Sequence, residues 1–142
     1  MNQALLVLHL LGLGMGLSVP FANIVFGGLL AQGNAGDQAT FYRFMPRMGR
    51  VGDIGLVLMW ITGPALVVTK YGGFAGLPGI FHAKLLAVVI LTVGIGIIHA
   101  NMRKAVAGDA TANARIQLVA KAITFPASLI ALICAVLAFN PV

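Results

Sequence analysis

Four ionisable side chains, His9, His82, Lys84 and His99, stand inside stretches that are otherwise almost wholly apolar. Burying such a group in hydrocarbon without a partner is costly, so each is a functional candidate by default. His9 lies about five residues into an apolar run that opens at Ala4, and His82 about three residues into one that opens near Ile80. If both runs are helices that start on the same side of a membrane, the two imidazoles lie at one depth. Two neutral imidazoles at one depth are a donor pair for the iron of a b-type haem, because bundle cofactors are held by side chains on facing helices. The plainer reading is that each histidine, within about two turns of the surface, hydrogen-bonds a neighbouring helix or interfacial water. His99 follows His82 by 17 residues, about 25 Å along a helix. It cannot share a ligand site with His82 and reads as an interfacial residue beside Asn101 and Arg103.

Gly12 and Gly16 follow His9 at i+3 and i+7, on its own helical face. Without side chains there, a flat macrocycle can approach the backbone, so both are candidate cofactor-binding positions. They are equally a small-xxx-small pair, which packs membrane helices with no cofactor at all. Lys84, two positions from His82, points roughly 200° away around the helix. It either snorkels to the interface or, as a candidate catalytic residue, meets a substrate carboxylate or moves a proton. Arg43, Arg47 and Arg50 form one basic stripe, facing anionic lipid head groups or the propionates of a porphyrin. Asp53 is placed to pair with Arg50 along the helix. Trp60, mid-span, is expected to pack inside the bundle, and Cys134, the only cysteine, to be a small packing residue.

The elements that must position these groups follow from composition. Of 142 residues, 60% are hydrophobic and 8% charged, with a mean hydropathy of +1.01; soluble domains carry about 25% charge. Apolar runs predict helices over about 4–31, 50–69, 79–102 and 116–139, a single transmembrane domain over 1–142 and an all-α integral membrane four-helix bundle. Pro20 predicts a kink near Ser18 to Phe21. The connectors are Gln32 to Gln38, Tyr71 to Gly79 and the charged stretch Arg103 to Arg115. No Lys or Arg precedes the first apolar run, so it reads as a retained helix rather than a secretory signal. The link between the first two apolar runs carries Arg43, Arg47 and Arg50 and the third link Arg103, Lys104 and Arg115 with Lys121 nearby, while the second has only Lys70. Positive residues favour the cytoplasmic side, which puts both termini on the outer, periplasmic side of a bacterial inner membrane.

The net charge of +6 is scattered at helix ends, which fits membrane lipids as partners and not nucleic acid. HExxH, CxxC, a glycine-rich phosphate loop and a Ser-His-Asp set are all missing. No acidic residue lies deep in a span, which disfavours a proton-coupled exporter of cations.

The segments Ala4-Leu5-Leu6-Val7-Leu8-His9-Leu10 and Gly79-Ile80-Phe81-His82-Ala83-Lys84-Leu85-Leu86, with the ending Phe139-Asn140-Pro141, resemble the HemJ-type protoporphyrinogen IX oxidases and related small four-helix membrane proteins. A first-helix "LH" and a third-helix "HxK" are signatures of that family. The resemblance implies haem b with His9 and His82 as ligands and Lys84 as a residue important to the reaction. It implies oxidation of protoporphyrinogen IX to protoporphyrin IX in porphyrin biosynthesis, with electrons passed to the quinone pool. The arginine that follows the first-helix histidine in the family has no counterpart between Gly14 and Asn23, the mark of a divergent member. Such a member binds haem for electron transfer, sensing or handling, alone or as a homo-oligomer. The competing class is a cofactor-free membrane protein, an assembly subunit or small transporter.

Overall fold

A computed structural model describes residues 2–30, 33 and 35–139. Gln32 and Asn34 of the first connector, and the Asn140-Pro141 ending, lie outside the described residues. The chain is all-α: α1 (Asn2–Leu30), α2 (Ala35–Tyr71), α3 (Gly79–Val106), α4 (Ala110–Val119) and α5 (Phe125–Phe139). A 3₁₀ turn, Phe74–Gly76, precedes α3, and a π-helical turn, Ala120–Thr124, joins α4 to α5. Among the described residues four stretches are long and apolar enough to cross a membrane: Gln3–Gly28, Ala39–Lys70, Gly79–Val106 and Ala110–Leu137. Helix is the form such sequences must take in lipid, because it satisfies every backbone N–H and C=O within the segment. The protein is therefore a multi-pass membrane protein.

Two compact units divide the chain: Met1–Val19 with Arg43–Leu77, and Pro20–Tyr42 with Pro78–Val142. In the first, the leading half of α1 packs antiparallel on α2 around Met45, Met59, Val67 and Leu77. Helix α2, at 37 residues, is far longer than the roughly 20 residues a bilayer requires. Its extra turns lie ahead of the apolar run that opens at Ile54, and include Arg43, Arg47 and Arg50, all exposed. The helix expected to begin near residue 50 thus begins fifteen residues earlier, at Ala35. Polar residues stay helical once they lie beyond the hydrocarbon. Trp60 is 41% exposed, which corrects the expectation of a buried tryptophan. The indole ring is largely apolar, so burial in protein is not required of it. The link after α2 turns at Gly72 (φ +70°) and Gly73 (φ +128°), conformations that cost a side chain dearly and glycine little.

In the second unit α3 packs against α4, the π turn and α5, with Ala105, Ala112 and Ile116 at one end backed by Ile98 and Met102. Toward the other end the buried residues of α5 are small, Ala127, Ser128, Ala131 and Ala135, while α3 buries Phe81, Ala87, Val88 and Leu91; small residues let helices approach closely. Pro126 has no N–H to give a helical carbonyl, and just before it the ladder widens. The Phe125 N–H reaches back five residues to the Ala120 carbonyl, which also accepts the Thr124 hydroxyl at 2.9 Å. Gly94 sits against this turn, where a Cβ would stand 2.8 Å from Thr124 Cγ2. Phe21 and Phe125 meet edge to face, 5.4 Å between centroids.

The charged stretch Arg103 to Arg115, expected as a link, is helical apart from a short turn. Helix α3 continues to Val106, Gly108 takes φ +96°, and Asp109 caps α4 by accepting from the Thr111 and Ala112 N–H groups at 2.9 and 3.1 Å. Replacing Asp109 with alanine is expected to cost about 1 kcal/mol, while Asp109→Asn restores most of it. Denaturant titration of the two variants in detergent checks the difference; equal stability would refute the cap.

Candidate functional site

Within the first unit, the facing surfaces of α1 and α2 repeat with the same steps. His9, Gly12, Gly16 and Val19 recur at three, four and three residues, and so do Gly52, Gly55, Met59 and Thr62. Run antiparallel, the two series mate in order. Val19 Cγ2 lies 2.7 Å from where a Gly52 Cβ would stand, and the Gly16 backbone N lies 2.7 Å from the position of a Gly55 Cβ. Gly12, given a Cβ, would meet the Gly55 carbonyl oxygen at 2.9 Å and Met59 Cγ at 3.2 Å. The series closes on a polar pair, His9 Nδ1 to Thr62 Oγ1, 2.9 Å apart.

That pair is buried, with His9 5% and Thr62 3% exposed. The Thr62 hydroxyl donates its single proton to the Leu58 carbonyl, 2.6 Å away on its own helix. Nδ1–H is the tautomer that makes both contacts of this hydroxyl hydrogen bonds at once. Gly63 flanks the ring, and a Cβ there would lie 3.5 Å from His9 Cε1, an ordinary contact. Three other buried polar side chains in the spans return to their own helices: Thr124 to Ala120, Ser128 to Phe125, Asn101 to Ile97. His9 instead reaches across to a different helix.

For Gly12 the contacts carry the packing reading, since its missing side chain makes room for the α2 backbone rather than for a macrocycle. Gly16 differs: its backbone joins the crossing, yet nothing lies within 4 Å of where its own Cβ would stand. His82 belongs to the other unit, on the first turn of α3, where it is exposed. Lys84 is half-buried in the same turns, its Nζ 5.9 Å from the centroid of the Phe81 ring, a cation–π contact. His99 is exposed near the far end of α3.

Thr62, Gly55 and Gly52 are the residues that sequence reasoning passed over. The signal was present in the matched three-four-three spacing of the two faces. Among the described residues no three His, Cys, Asp or Glu side chains cluster to hold a bare metal ion. What the crossing does hold is a single buried imidazole, fixed to the neighbouring helix through Thr62. Comparison with protein-family models, curated proteins and solved structures finds no match for this chain.

Proposed function

We propose that the chain binds one b-type haem through His9 and serves a redox role in a bacterial inner membrane, with both termini on the outer side. The observation that supports this reading is the His9–Thr62 hydrogen bond, which holds a buried imidazole through Nδ1 across the helix crossing. Histidines that ligate metals characteristically give their other N–H to an oxygen in this way. A porphyrin brings four nitrogen donors of its own, so one or two imidazoles complete the set and no larger cluster is required. When bound, the haem would supply one-electron redox chemistry.

The chain's residues do the rest. His9 supplies a ligand whose orientation is set by α2, and the glycine crossing keeps water from it. His82 is the second ligand to be tested, and Lys84 the residue placed to meet a substrate carboxylate or carry a proton. The resemblance to HemJ-type proteins makes protoporphyrinogen IX the substrate to try first, with quinone as acceptor; a carrier of electrons without that activity is the other form of the same proposal.

The decisive measurement is the reduced-minus-oxidised spectrum of protein purified from cells supplied with ample haem. A Soret shift and an α-band are expected. Their absence would sink the reading and leave a cofactor-free membrane protein. In haem-loaded protein, His82→Ala is expected to change the axial ligation and His99→Ala to leave the spectrum as it was. Rescue of a strain that lacks protoporphyrinogen oxidase then separates enzyme from carrier.

A further inference from the structure

The geometry points to a second binding site, in which Lys121 and Gln117 hold the phosphate of an anionic membrane phospholipid where the trailing half of α1 meets α4. The site lies wholly in the second unit. It owes nothing to the haem reading, so either can fail without the other.

Two contacts fix the seam. Phe21 of α1 meets Phe125 of α5 edge to face, and further along α1 the backbone of Gly27 lies against Gln117, whose Oε1 is 3.0 Å from where a Cβ would stand. The two segments therefore run antiparallel, and Lys121 stands midway between Gln117 and Phe125. Four-residue steps on an α-helix drift by about 40° each; the wider π turn, Ala120–Thr124, takes up that drift and keeps the three residues on one face. Asn113, one turn ahead of Gln117, continues the polar stripe toward the start of α4. On the α1 side, Asn23 lies one turn before Gly27 and is 8% exposed.

Lys121 stands about 9 Å further into the span than Arg115, at a depth where lipid tails cannot solvate a charge. Among the described residues it makes neither an ion pair nor a hydrogen bond. Helical side chains lean toward the N-terminus, so its stem rises over the Gln117 turn and carries the ammonium toward the amide. Ammonium and amide together present N–H donors to one point, which suits the unprotonated oxygens of a phosphodiester. Charge selects an anionic lipid: Arg103, Lys104, Arg115 and Lys121 are all exposed, and Asp109, the only acid after Asp53, is engaged in capping α4. Val25 and Leu118, 61% and 65% exposed, add apolar surface on the same turns for the acyl chains.

Native mass spectrometry of the purified protein in detergent, titrated with dioleoyl phosphatidylglycerol or dioleoyl phosphatidylcholine, tests the site. Phosphatidylglycerol is expected to bind the more tightly; equal affinity for the two lipids overturns the proposal. Lys121→Gln is expected to weaken phosphatidylglycerol about fivefold, the worth of one basic residue at an anionic surface. Lys121→Arg should retain it, and Gln117→Leu should weaken it with the charge unchanged. Arg103→Gln gauges general attraction: a loss as large as that of Lys121→Gln, with Gln117→Leu at wild-type affinity, would reduce the effect to surface charge and refute the site. Inorganic phosphate in excess is expected to leave the lipid bound, and its displacement would show a soluble anion to be the ligand instead. Lys121 is exposed, so its two variants decide even if Gln117→Leu does not fold.

Discussion

Replacing His9 with alanine is expected to abolish the haem α-band while leaving the helical circular dichroism of the protein intact. On the proposed haem reading the loss follows because His9 would supply the donor nitrogen, and the first unit has no other described imidazole. The fold should tolerate the change: the glycine crossing beside it is untouched, and the Thr62 hydroxyl keeps its bond to Leu58. The truncation also leaves a small space bounded by Gly63 and Thr62. Imidazole added to the purified variant is expected to enter it and restore the band. His99→Ala, made in parallel, serves as the variant without effect. A His9→Ala protein with full haem content and an unshifted spectrum would remove His9 from the ligand set.

The second large effect lies at Gly55. A Cβ there would stand 2.7 Å from both the Gly12 carbonyl oxygen and the Gly16 nitrogen, and 2.8 Å from Met15 Cβ. Two of these three obstacles are backbone, which cannot rotate away. The helices must separate, and in lipid close packing between helices is the main force that associates them. Gly55→Leu is expected to cost about 3 kcal/mol, the upper range for overpacking, and to break the His9–Thr62 bond as α1 withdraws. Haem content and thermal stability should fall together. Gly63→Ala provides the contrast, since its added methyl meets His9 at an ordinary 3.5 Å. Equal behaviour of the two variants would mean that the crossing does not hold the site.

Much of this architecture is legible in the residues because hydrocarbon leaves the backbone so few choices. Four apolar runs have to be helices, and the spacing of Arg43, Arg47 and Arg50 is itself helical. What the residues do not disclose is governed by other forces. The reach of α2 back to Ala35, and the helical content of Arg103 to Arg115, depend on helix continuing into water, where apolar content no longer reports it. The π turn before Pro126 answers a missing N–H that can be relieved in several ways. Trp60 is assigned to the protein interior on a preference that lipid does not enforce.

At the site, the type of each residue is legible and its partner is not. His9 stands out as an anomaly, yet its face toward α2 depends on helix rotation, which a single apolar run does not encode. The two uses of Gly12 are told apart only by the α2 backbone that lies against it. Thr62 gives no signal by itself, since a threonine in a span ordinarily spends its hydroxyl on its own helix, as Thr69 does with Ala65. Only the second, accepting role of that hydroxyl makes it part of the site.

The crossing of α1 and α2 also bears on how the protein enters a bilayer. The first span emerges from the ribosome with an imidazole whose polar atoms lipid cannot satisfy, and the threonine that receives its proton is 53 residues away in the chain. Until α2 arrives, the imidazole lacks that partner, a cost of a few kcal/mol that interfacial water near the end of the span can offset. The hairpin, rather than the single helix, is the smallest piece of this protein that oil can accept, and the arrival of the second span is the event that dries the first.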